Sequence, residues 1–131
     1  VIMKNSIFTF VIVLVAQMGF ASELDSILNK ARALSNNKEY TEAIIVYENY
    51  IKVSKGENLK EVYIEIANCY FYQGKKQEAV NNIKTAIVKC GFTEEDFIYS
   101  SILDEKLSSY ALSVLYDDYF KLRQKYLATL N

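Results

Sequence analysis

The chain has 131 residues, with 15 basic against 16 acidic side chains and no histidine. Charges of both signs are interspersed, so the basic stripe of a nucleic-acid binder is missing. Without histidine, histidine-based triads, histidine-ligated zinc and the commonest general base near neutral pH drop out; four glycines, at 19, 56, 74 and 91, form no phosphate-cradling loop.

The N-terminus reads as an export signal. Lys4 precedes an apolar run from Ile7 to Ala16, and Gly19-Phe20-Ala21 places small residues where a signal peptidase reads. Translation is expected to start at Met3 and cleavage to follow Ala21, leaving residues 22–131 as one small helical domain. The alternative is an uncleaved membrane anchor, since only Thr9 and Gln17 interrupt the segment up to Phe20. The run itself falls short of the ~20 apolar residues of a confident span. No cysteine follows it, which argues against a lipoprotein.

Ser22 with Asp25 is a candidate helix start, and Leu24, Ile27, Leu28, Ala31 and Leu34 then recur at helical spacing. Ser35-Asn36-Asn37 breaks that helix. A second carries Ala43, Ile44, Tyr47 and Ile51 to near Gly56; a third starts at Asn58 and stops at Gly74; a fourth runs from about Lys76 to Cys90, with Gly91 as a left-handed cap. Thr93-Glu94-Glu95-Asp96 resembles another helix start, its carboxylates complementing the helix dipole rather than a metal ion, which would need further spaced oxygen ligands. Asp104 and Asp117 should begin the last two helices. Leu107, Leu112 and Leu115 are expected to face inward on one, and Phe120, Leu122, Tyr126 and Leu127 on the other. Cys69 and Cys90 lie at levels about 15 Å apart along an antiparallel pair, too far for a disulfide, so free thiols are expected.

Displaced by 36 residues, the chain matches itself. Ile27 falls on Tyr63, Ala31 on Ala67, Leu34 on Tyr70, Glu42-Ala43-Ile44 on Glu78-Ala79-Val80, and Ile51 on Ile87. Such a period marks a stacked-helix array. In the second copy Tyr63, Ile66, Ala67 and Tyr70, then Gly74, then Ala79, Ile83 and Ala86 alternate large and small residues as the tetratricopeptide repeat (TPR) family does, and the chain resembles that family over about half its length. The first copy departs from the pattern at Leu34, at Lys38 in place of the turn glycine, and at Tyr50; the family's closing proline is absent. The resemblance implies an all-α fold: two TPR-like hairpins (residues 24–57 and 60–93), a fragment of a right-handed α-solenoid, followed by C-terminal capping helices over 94–131. No third copy exists, because Ala67, Gly74 and Ala79 would fall on Leu103, Tyr110 and Leu115. The tail is similar to the extension that follows TPR units in many bacterial exported proteins.

The same resemblance implies a scaffold that binds a peptide or protein segment in a small concave groove, without catalysis, cofactor or metal. The groove-side candidates are Leu28 and Arg32 on the first helix and Ile64, Asn68, Phe71 and Tyr72 on the third. Phe71 and Tyr72 are the aromatic anchors unless the C-terminal helices cover them. The carboxylate-gripping TPR subclass is not matched: Leu28 and Glu65 stand where its cations belong. The alternatives are a self-associating structural protein, hence a homo-oligomer with a tyrosine-rich contact face, and a membrane-anchored envelope assembly factor.

Overall fold

The structure is a computed structural model that describes residues 22–55 and 59–131. Among the described residues seven helices follow one another: α1 over 22–36, α2 Tyr40–Val53, α3 Leu59–Tyr72, α4 Lys76–Cys90, α5 Glu94–Tyr99, α6 Glu105–Leu115 and α7 Tyr119–Ala128. Among the described residues there is no strand, and no helix is long and apolar enough to cross a membrane. The export signal and the Asn58 cap lie outside the described residues. Ser22 is itself helical, so it does not cap α1 as its sequence suggested.

The 36-residue repeat is visible in the backbone bonds. At the α1–α2 turn, Lys38 N–H donates to Ser35 and Glu39 N–H to Leu34; at the α3–α4 turn, Gly74 N–H donates to Phe71 and Lys75 N–H to Tyr70. Lys38 has φ 63° and Gly74 φ 77°. Both turns therefore need a left-handed residue at the same place, and only the second uses the one without a Cβ penalty.

The large–small alternation becomes two clusters that share α3. One joins Ala31, Ala43, Ile44 and Tyr47 of the first hairpin to Val62, Ile66 and Cys69. The other joins Tyr63, Ile64 and Ala67 to Ala79, Val80, Ile83, Ala86 and Ile87, and continues into the tail through Phe92, Phe97, Leu103, Leu107, Ala111 and Leu115. An isolated hairpin would leave one face of each cluster wet; here α6 and α7 pack against α4 and supply the missing neighbour. Cys69 and Cys90 are free, as their offset required.

The tail is anchored at its joints. Gly91 ends α4 at φ 72°, and its missing Cβ is also where the Tyr126 ring of α7 sits, 2.5 Å from an ideal Cβ position. Thr93 and Asp96 form a reciprocal capping box on α5, and Asp104 caps α6 by accepting from the amides of Lys106 and Leu107. The inward faces differ from the expected ones. On α6 the stripe is Leu107, Ala111 and Leu115, four residues apart, which turns Leu112 outward. On α7 it is Tyr119, Leu122 and Tyr126, while Phe120 and Leu127 are exposed. The last helix starts after Asp118, not Asp117, and without a side-chain cap. With apolar residues at so many positions, spacing alone did not select the face.

Candidate partner-binding groove

α1 and α3 lie side by side, joined through Arg32 with Glu65 and Ser35 with Cys69, and residues of both line the same hollow. Repetition at three and four residues puts Asp25, Leu28 and Arg32 on one face of α1, and Glu61, Glu65 and Asn68 on one face of α3. The two rows are joined by a bidentate ion pair: Arg32 Nη2 is 2.8 Å from Glu65 Oε1, and its Nε donates to both carboxylate oxygens at 3.1 and 3.2 Å. The Glu65 hydrogen bond holds the Arg32 guanidinium above its ordinary pKa; burial, then the same carboxylate, pushes the nearby Tyr47 phenol up as well. Glu65, in the place of a cation in carboxylate-gripping TPRs, thus pins Arg32 instead.

The tail packs beside these residues. The segment Ser100–Asp104, between α5 and α6, runs across α3, and Asn68 reads its backbone with both ends of one carboxamide. Nδ2 donates to the Ile102 carbonyl at 2.8 Å, and Oδ1 accepts from the Asp104 amide at 3.0 Å. Ser100 Oγ holds the same turn by accepting from the amides of Ile102 and Leu103. The Tyr72 hydroxyl donates to Asp104 at 3.1 Å, and its ring packs on Tyr40 at 5.3 Å; burial, then that carboxylate, pushes the Tyr72 phenol up to about 12.

The six candidates therefore separate. Ile64 is only 2 % exposed and packs mainly into the core beneath the tail, although it also contributes to the lining of the larger hollow described below. Asn68, 9 % exposed, is occupied by the chain's own backbone. Phe71 is half-buried against the main core, and Tyr72 remains 48 % exposed at the far end. Leu28 and Arg32 line the open part. The third helix looked one-sided in sequence because the tail that covers its second side belongs to no repeat.

Ile102 divides what remains into two hollows. The larger, about 710 Å³, is bounded by α1, the start of α3 and the α5 end of the tail; its walls include Asp25, Leu28, Arg32, Lys60, Asp96 and Tyr99. The smaller, about 490 Å³, lies between the α1–α2 turn, Tyr72 and Ile102. Lys60 Nζ bonds Asp96 at 3.1 Å in the wall of the larger one. Burial works to raise the Asp96 carboxyl, but the Thr93 amide and Lys60 outweigh it and hold it below the usual range. Tyr99 and Lys60 are contributors that helix periodicity in the repeats did not point to. No group of carboxylates and thiols among the described residues could hold a metal ion. Burial, the leading cause at both cysteines, pushes their thiols up, away from the reactive thiolate.

A family model described as tetratricopeptide repeat matches residues 24–56 and 60–87. Neither the comparison with curated proteins nor that with solved structures finds a match. The match spans just under half of the chain and supports reading the two hairpins as tetratricopeptide repeats, which indicate a protein–protein interaction scaffold.

Proposed function

We propose that this protein is an exported interaction module that holds a segment of a partner protein in the hollow between α1, α3 and the tail. The observation that carries this reading is the open cavity of about 710 Å³ between α1, α3 and the tail, within the range of concave binding sites, which the tail borders without filling. TPR proteins are typically non-enzymatic scaffolds, so recognition rather than catalysis is the role to test. Export rests on Lys4, the Ile7–Ala16 run and Gly19-Phe20-Ala21.

The test is site-specific photocrosslinking in native cells, with the photoreactive residue placed at Leu28 in the hollow or at Ile45, exposed on the convex side. Adducts from Leu28 and none from Ile45 are expected; the reverse overturns the reading. The N-terminal residue of the recovered protein reports cleavage in the same experiment: Ser22 if the signal is removed, an intact N-terminus if the segment remains an anchor.

Self-association is the second reading, favoured by Tyr116 and by Phe120, which is 71 % exposed at the array end beyond α6. Light scattering over a concentration series decides it, since a monomer throughout rejects it.

A further inference from the structure

We infer that the larger hollow selects a basic side chain, so that the partner segment presents a lysine or arginine there. The inference rests on the interaction reading above and names the chemistry of the same site.

The walls carry three carboxylates, Asp25, Glu61 and Asp96, against two cations, Arg32 and Lys60. The cations are already committed. Arg32 makes its bidentate pair with Glu65, and Lys60 is bonded to Asp96. Neither Asp25 nor Glu61 has an ion pair among the described residues. They approach the hollow from different helices, one on α1 and the other in the first turn of α3. Among the described lining residues, the balance of charge facing a ligand is therefore negative. An acidic segment would have to share Arg32 or Lys60 with a carboxylate already bonded to it; a basic one competes with no existing pair.

Two further features fit the same guest. Leu28 and Ile102 provide apolar wall for the aliphatic stem of a lysine or arginine, whose charged head stays toward the carboxylates. Tyr99, 81 % exposed, stands at the rim with its ring unburied, and an aromatic face attracts a cation within about 6 Å.

The experiment is selection of a phage-displayed random dodecapeptide library on the full chain, kept in mild detergent and immobilised through its C-terminus. Peptides enriched in lysine or arginine are expected. The affinity of a selected synthetic peptide should fall at least about tenfold in Asp25→Asn/Glu61→Gln, and should weaken as salt is raised. Glu42→Gln/Glu78→Gln, on α2 and α4 outside the hollow, should leave it unchanged. A circular dichroism melt of each variant confirms the fold. Enrichment of acidic or uncharged peptides overturns the basic-side-chain inference while leaving the interaction reading intact. Failure of any peptide to enrich overturns both. Equal losses in the two double variants show that the carboxylates act by general charge, and also overturn it.

Discussion

Asn68→Ala removes both hydrogen bonds that hold the Ser100–Asp104 segment against α3, and it leaves the Ile102 carbonyl and the Asp104 amide without their partner. A neutral hydrogen bond contributes about 1 kcal/mol net, and a buried group left unpaired costs about 1–3 kcal/mol. Both groups are only partly buried, so water can reach them after modest opening. The expected loss is therefore about 2–3 kcal/mol, seen as a lower urea midpoint and a melting temperature reduced by roughly 10 °C. Hydrogen exchange should quicken first at Leu103 to Leu107, where the clamp meets the start of α6. Asn68→Asp sharpens the test, because only one orientation of the native amide satisfies both bonds. The introduced carboxyl faces the Ile102 carbonyl, so its folded pKa rises above the unfolded value of about 3.9. Its neutral form can donate to Ile102 while still accepting from Asp104. That contribution is fully present below the unfolded pKa and is lost as pH rises through the folded pKa. The Asn68→Asp deficit relative to the native protein should thus shrink as pH falls through the raised folded pKa and level off below about pH 4. A loss under about 0.5 kcal/mol for Asn68→Ala, or an Asn68→Asp deficit independent of pH, would refute the clamp.

Ala67→Leu should cost about 1–3 kcal/mol or more in a denaturant titration, because Ala67 is fully buried in the core that α3 shares with α4. Lys38→Gly should raise stability by up to about 1 kcal/mol, measured the same way, since φ 63° penalises a side chain with a Cβ. Gly91→Ala should destabilise clearly more than Gly74→Ala in thermal melts: both glycines have positive φ, but only at Gly91 would the new methyl meet the Tyr126 ring. Truncation after Gly91 should abolish cooperative melting, because Phe92, Phe97, Leu103, Leu107, Ala111 and Leu115 complete the main core.

The repeat, the two turns and most helix ends were legible in the sequence because local chemistry sets them. A left-handed residue is needed wherever the hairpin turns, and small residues are needed wherever helices touch. Both demands recur every 36 residues, as Lys38 and Gly74, or Ala31 and Ala67, record. The capping roles of Thr93, Asp96, Asp104 and Gly91 were legible for the same reason, since a cap acts within a few residues of itself. Which surface of α3 stays open was not. Ile64 and Asn68 sit at positions that a repeat array leaves on its groove, and their neighbours, Leu103, Ile102 and Asp104, lie more than 30 residues downstream in a segment without repeat character. The same holds for the outward turn of Leu112 and Phe120, which follows from how α6 and α7 dock on α4. Helical periodicity defines candidate faces. Long-range packing decides which face is covered, and so it decided that Asn68 holds the chain itself while the hollow beside Leu28 and Arg32 remains open.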